Sequence, residues 1–341
     1  MTATVLVTGG AGYIGSHTTR QLADAGFEVL VVDNLYSGHA WAIDPRAQFH
    51  QLDAGDAAGV GELLRSHAPV AAVIHFAGHI VVPESVSNPL KYYRNNPIAS
   101  ANLIEACRRH GVQRFLFSSS AAVYGQPEVV PIPEEAATAP INPYGRSKLV
   151  TEWTLEDVAT SSQVNGDDDP FRYMALRYFN VAGASLDAAL GQATPEATHL
   201  IKVACEAACG KRRGVQIFGT DYPTPDGTGI RDYIHVEDLA AAHVLGLRHL
   251  LDGGESAILN CGYGHGFSVR EVVDTVRRVS GARFHVEETG RRAGDPAQLV
   301  ADNARIRERL GWTPRYDDLE LICRTAYEWE KALAARMSRA G

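Results

Sequence analysis

The chain has 341 residues, 45% of them hydrophobic and 21% charged, the balance of a soluble globular protein rather than a disordered or fibrous one. A prior of ~150 residues per domain suggests two domains. The formal net charge of -8 argues against a nucleic-acid surface, because the average field repels backbone phosphates.

The first half alternates short apolar runs with longer amphipathic stretches. TVLVTG, EVLVVD, AAVIHFAG, RFLFSSS and YMALRYFN lack strict alternation, as strands buried on both faces of a parallel sheet do. Helical segments separate them at Gly12–Ala25, Asp56–His67, Asn95–His110 and Pro143–Ala159. This rhythm predicts an α/β fold: a doubly wound parallel (Rossmann) sheet with right-handed crossovers. SSQVNGDDDP, from Ser161 to Pro170, reads as a solvated loop.

After Asn180 the pattern changes. A helix from about Pro195 to Gly210 precedes the loop-rich IFGTDYPTPDGTGIRDYIHV, with turn signals from Pro223 to Gly229. A helix near Glu237–Leu251, a strand at Ala257–Cys261, a helix opening at Ser268, the basic loop GRRAGD and a terminal helix from about Leu319 follow. Ser268 with Glu271 three residues on is a capping-box signature. The expected division is a nucleotide-binding domain over 1–180, also receiving 236–262, and a smaller mixed α/β C-terminal substrate domain over 181–341.

The N-terminus enters a strand pattern without a signal-like segment, and no apolar run approaches the ~20 residues of a membrane span. A cytoplasmic location is expected. The five cysteines form no C-x-x-C pair and the thirteen histidines no H-E-x-x-H motif, so no metal is expected. Cys205 and Cys209, one helical turn apart, read as small apolar residues on a buried face.

VTGGAGYIGSH places Gly9, Gly10, Gly12 and Gly15 between a strand and a helix. Such glycines let the backbone turn sharply and approach a pyrophosphate, while free N–H groups at the helix start bind negative charge. Asp33 closes the next strand pattern, where a carboxylate accepts bonds from an adenosine ribose and repels a 2′-phosphate. NAD is therefore preferred to NADP. Asp53 and His75–Gly78 close the third and fourth strand patterns, and their tips should line the adenine and ribose region. His75 itself, inside an apolar run, reads as a packed core residue.

In PINPYGRSKL, Asn142 suits a helix N-cap and Pro143 the first helical position, so Tyr144 and Lys148 share one face. An ammonium ~5 Å from a phenol contributes ~3 kcal/mol, or ~2 pK units, at an effective dielectric of ~20. Helix-end electrostatics supply only ~0.3–1 kcal/mol, so the lysine is the larger effect. The pair alone would read as a surface contact. Ser118, Ser119 and Ser120, delivered to the same sheet edge by a strand, make it a candidate centre for proton removal from an alcohol.

These residues resemble the extended short-chain dehydrogenase/reductase group and, within it, the UDP-glucose (UDP-galactose) 4-epimerases. The resemblance covers nearly the whole chain, through VTGGAGYIGSH, DNL, HFAG, PESVSNPLKYYRNN, SSSAAVYG, PYGRSK, RYFNVAGA, IFGTDYPTPDGTGIRDYIHV and RRAGD. It implies that Tyr144 is the acid/base, Lys148 holds the nicotinamide ribose and tunes Tyr144, and Ser120 bonds the sugar O4. It places Gly9, Gly12, Tyr13, Ile14, Gly15, Asp33, Asn34, Leu35, Ser37 and Gly38 at NAD, with Asp53, Ala54, Phe76, Ala77, Gly78, Asn95, Ser118 and Phe179. It assigns Asn180, His199, Leu200, Gln216, Phe218, Arg231, Arg292, Asp295 and Leu299 to the UDP-sugar, the two arginines facing the diphosphate. Guanidinium forks suit phosphate oxygens; the plainer reading of Arg231 is an ion pair with its neighbour Asp232.

The implied reaction is 4-epimerisation through a transient 4-keto sugar and NADH, in a homodimer formed by helices 95–110 and 143–159. Three departures stand out. Ile80 replaces a lysine frequent in the family, Ala122 a threonine, and Leu299 a tyrosine that narrows the sugar pocket, so the site is expected to admit the N-acetyl group of UDP-GlcNAc. The rivals are a 4-epimerase of UDP-glucuronate or a UDP-pentose, a nucleotide-sugar 4,6-dehydratase and a non-catalytic NAD-binding regulator. The dehydratase needs an extra acid and base where this chain has Ala121 and Ala122.

Overall fold

The computed structural model describes residues 3–195, 197–292 and 294–340. Glu196, and Ala293 of the GRRAGD loop, lie outside the described residues. Strands β1 (Thr4–Thr8), β2 (Glu28–Asp33), β3 (Gln48–Gln51), β4 (Val70–His75), β5 (Arg114–Ser118), β6 (Arg172–Tyr178) and β7 (Ala257–Cys261) form one parallel sheet in the order β7-β6-β5-β4-β1-β2-β3. The order reverses beside β1, as a doubly wound sheet requires.

Alternate residues of each strand feed two cores. Val5, Val7, Ile74, Leu116 and Met174 face one side, while Leu6, Val73, Phe115, Phe117 and Ala175 face the other. A fully buried Val or Leu contributes about 1.5–3 kcal/mol, which is why these runs show no polar alternation. Helices α1 (Tyr13–Asp24) and α6 (Val236–Leu251) pack together over the first face. Helices α2 (Ala57–Ser66), α3 (Ala99–Arg109) and α4 (Pro143–Val164) cover the second. Helix α5 (Leu200–Ala208) belongs to the remaining part.

That part is built from short pieces. Ile230–Arg231 pairs with Phe267–Ser268 on one side and Gln298–Leu299 on the other, and His285–Thr289 runs parallel to Gly214–Phe218. Helix α7 (Val269–Ser280) opens with the expected capping box between Ser268 and Glu271. The terminal helix α8 (Leu319–Ala340) packs on α5 and α7. Among the described residues no helix is long and apolar enough to cross a membrane.

Two expectations need correction. Helix α4 continues through Val164, so Ser161–Val164 is helical and not loop; the turn comes at Gly166, whose φ of +69° a side chain disfavours. Helix α5 starts only at Leu200, with His199 before it in extended backbone; Ala197, Thr198 and His199 line a cavity wall instead.

Candidate active site

The carboxyl ends of β1, β2, β4, β5 and β6 open into a cavity of about 1250 Å³ whose far wall is the C-terminal part of the chain. Its floor begins at the glycine turn. Gly9 adopts φ +75°, and a Cβ on it would meet Ala77 N at 2.6 Å. A Cβ on Gly15 would lie 2.1 Å from Gly9 O, so both positions require the absence of a side chain. Gly12 precedes α1 and offers no side-chain cap, which leaves first-turn N–H groups to an anion. Asp33 accepts from Ala11 N at 3.0 Å and Leu35 N at 2.8 Å; burial lifts its carboxyl above the usual range against those two bonds. Asn34 donates to Asp53 across the tips of the second and third strands at 2.9 Å. The turn, the open helix end and the acidic strand tip fit a dinucleotide.

Most predicted cofactor residues converge here: Tyr13, Ile14, Ser37, Asp53, Ala54, Phe76, Ala77, Gly78, Asn95, Ser118 and Phe179 all line the cavity. Asn95 is aimed by a π-turn at Arg94–Ile98, where Pro97 interrupts the helical ladder. Leu35, Gly38 and Lys148 sit behind the described lining. Leu35 N–H is spent on Asp33, and a Cβ on Gly38 would strike Ala11 at 2.9 Å. His75 is a core residue, bridging Thr8 Oγ1 at 2.6 Å and Ser100 Oγ at 2.9 Å. Burial, aided by the Lys148 charge, depresses it to about 3.

The centre of the cavity assembles as the sequence predicts, with one difference. Asn142 Oδ1 accepts from Gly145 N at 2.8 Å and Pro143 opens α4, placing Tyr144 in the first turn, 7% exposed. The Ser120 hydroxyl lies beside the phenol on the cavity wall. Lys148, 3% exposed, donates from Nζ to Ser118 O at 2.8 Å and stands 6.0 Å from the Tyr144 ring centre. The ammonium thus faces the strand tip rather than the phenol. Burial raises the Tyr144 phenol above its ordinary value, opposed by the Ser120 hydroxyl, and lowers Lys148 to about 8, opposed by Glu152. Desolvation, absent from a sequence-level Coulomb estimate, dominates in the protein alone.

On the far wall, Asn180, His199, Leu200, Gln216, Phe218, Arg231, Arg292, Asp295 and Leu299 all line the same cavity. Arg231 pairs with Asp295 at 2.5 Å, not with Asp232, which is buried and accepts from the backbone N–H groups of Tyr263, Gly264 and Ala301. Arg292 stacks its guanidinium 3.7 Å above the centre of the Phe218 ring. Leu299 sits beside Arg231 because the two strands pair in that register.

Several lining residues were not foreseen. Tyr178 bonds Ser118 Oγ at 2.7 Å, Gln192 bonds His199 Nδ1 at 2.9 Å, and Tyr36, His79 and Arg213 stand at the rim. Tyr178 ends the buried strand β6 and could have been read from its place at that strand's tip. Arg213 and Gln192 lie in loops whose approach to the cavity is set by tertiary packing.

Residues 5–262 match the model of the NAD dependent epimerase/dehydratase family. The chain belongs to that family. It is 55% identical over 337 residues to the UDP-glucose 4-epimerase of Azospirillum brasilense, covering 99% of this chain and 94% of the relative. The fold matches the UDP-glucose 4-epimerase of Brucella ovis in complex with NAD, with TM-score 0.90 and 47% identity over 96% of this chain and 98% of the other. It also matches the UDP-Glc/GlcNAc 4-epimerase of Campylobacter jejuni, with TM-score 0.84 and 50% identity over 97% and 99% of the two chains.

Proposed function

We propose that the protein catalyses NAD-dependent 4-epimerisation of a UDP-hexose, interconverting UDP-glucose and UDP-galactose. The observation that carries this reading is the meeting of Ser120 and Tyr144, with Lys148 behind them, on the edge of the cavity that the glycine turn floors and Arg231 and Arg292 flank. The glycine turn, Asp33 and the strand tips would hold NAD, which when bound would accept a hydride from sugar C4 and return it. Ser120 holds the 4-oxygen, and Tyr144 removes its proton and later returns it. Lys148 supplies positive charge behind the phenol. Arg231 and Arg292 bind the diphosphate, and that remote binding energy retains the sugar while its ring turns to present the other face.

The 4,6-dehydratase alternative is disfavoured because the turn after the serines, Ala121–Val123, offers neither the acid nor the base that elimination needs. Conversion of UDP-galactose to UDP-glucose, followed with a coupled dehydrogenase at 340 nm, tests the proposal. Absence of turnover with every UDP-sugar tried favours the non-catalytic regulator.

Leu299 supports a second substrate. Half-buried on the cavity wall, it leaves room that a tyrosine would fill, in keeping with acceptance of UDP-GlcNAc. Leu299→Tyr should reduce UDP-GlcNAc turnover at least tenfold relative to UDP-glucose; an unchanged preference refutes the idea. We also read the protein as a cytoplasmic homodimer. Ile98 at the start of α3 and Trp153 on α4 are 54% and 53% exposed, apolar surface suited to a helical interface. Sedimentation at micromolar concentration decides it.

A further inference from the structure

Helix α4 carries a third charged side chain on the stripe of Tyr144 and Lys148. Glu152 stands one turn beyond Lys148, and steps of four residues drift only about 40° around a helix of 3.6 residues per turn. It is 1% exposed. Its Oε1 accepts from Ser119 Oγ at 2.5 Å and from Arg177 Nε at 3.0 Å, and its Oε2 from Arg177 Nη2 at 2.6 Å. Ser119 is the middle of three consecutive serines, and its neighbours hold the reacting pair. Ser118 O receives Lys148 Nζ, and the Ser120 hydroxyl lies beside the Tyr144 phenol. A carboxylate gripping the central serine therefore fixes the backbone that ties down the ammonium and sets Ser120 against the phenol.

Building on the epimerase reading, we propose that Glu152 is a positioning residue. Through Ser119 it fixes the Ser118–Ser120 tip, and through its charge it keeps Lys148 cationic in a dry site. Arg177, from β6, is matched by Glu152 and also bonds Tyr124 at 3.0 Å. The other titratable groups around Lys148 and Tyr144 are His75 on β4, Tyr178 on β6 and Tyr92 from the short helix Pro89–Tyr93. Burial holds His75 neutral at about 3 and pushes Tyr178 and Tyr92 up, so none of the three changes charge near neutral pH. Lys148, at about 8, does, and Glu152 is the anion beside it.

The test measures kcat and KM for UDP-galactose from pH 6 to 10 on NAD-loaded protein, with thermal unfolding to confirm folding. Wild-type turnover is established first, so failure of the epimerase reading is separable from failure of this one. Ser119→Ala keeps the Glu152–Arg177 pair; it should lower kcat about tenfold with KM within twofold and leave the alkaline limb in place. Glu152→Gln should lower kcat and move the alkaline limb down by at least one pH unit, since Lys148 then faces an uncompensated Arg177. If Glu152→Gln does not fold, Arg177→Gln carries the charge test in the opposite sense, and the limb must move up. Wild-type kcat in folded Ser119→Ala, or an unmoved limb in the folded charge variant, overturns the proposal.

Discussion

Replacing Lys148 with methionine isolates the electrostatic core of the site. The side chain keeps its approximate length and apolar stem while the ammonium disappears. With Nζ 6.0 Å from the Tyr144 ring centre and an effective dielectric of ~20, the lost attraction for a phenolate is about 2.8 kcal/mol, or roughly two pK units. The phenol is already raised by burial, so its ionised fraction near pH 7.5 should fall about 100-fold. Lys148→Met should therefore lower kcat for UDP-galactose by roughly 100-fold. The variant's rate should climb about tenfold per pH unit up to pH 9, because the phenol must ionise unaided. The coupled assay at 340 nm reads both effects, and bound NAD, released by acid and quantified by absorbance, separates them from cofactor loss. A loss below fivefold in the NAD-loaded variant, or a pH profile parallel to that of the unaltered protein, would refute the reasoning.

Tyr144→Phe keeps the ring and removes the proton carrier; turnover should drop at least 1,000-fold, within the range of general acid–base effects, while NAD released by denaturation stays within twofold of the unaltered protein. Gly15→Ala forces a Cβ to 2.1 Å from Gly9 O, so the purified variant should carry less than a tenth of the normal NAD and melt at lower temperature. Acid should destabilise the fold well before pH 4. His75, His235 and His243 are held neutral by burial at about 3, 4 and 4, below their unfolded value near 6.5, so the unfolded chain binds their protons first. Asp232, raised by burial to about 6, opposes them with one proton. These four groups alone leave the unfolded chain about two protons ahead, so their contribution to stability rises with pH between about 4 and 6, by roughly 2.7 kcal/mol per unit. Denaturant midpoints across that window check the sign; a flat or falling midpoint contradicts it.

The first half of the fold was legible because its signals are local. Unalternating apolar runs require burial on both faces, the glycines of VTGGAGYIGSH tolerate a turn that Cβ atoms would block, and Asn142–Pro143 fixes the phase of α4. Phase alone places Tyr144, Lys148 and Glu152 on one stripe. The strands at 230–231, 267–268 and 298–299 carried little signal, since two-residue pairings are set by long-range contacts and not by periodicity. The partner of Arg231 is set in the same way: its sequence neighbour Asp232 points into a nest of backbone N–H groups, and Asp295 arrives from a distant loop.

The sequence determined which residue types stand at each strand tip and in which helical phase, because steric permission and burial act over a few residues. The direction of the Lys148 ammonium, the balance of desolvation against charge at Tyr144, and the convergence of residues 180, 199, 218, 231, 292 and 299 on one cavity were decided by tertiary structure. Those quantities depend on what surrounds a group in space, and dehydration has no signature along the chain.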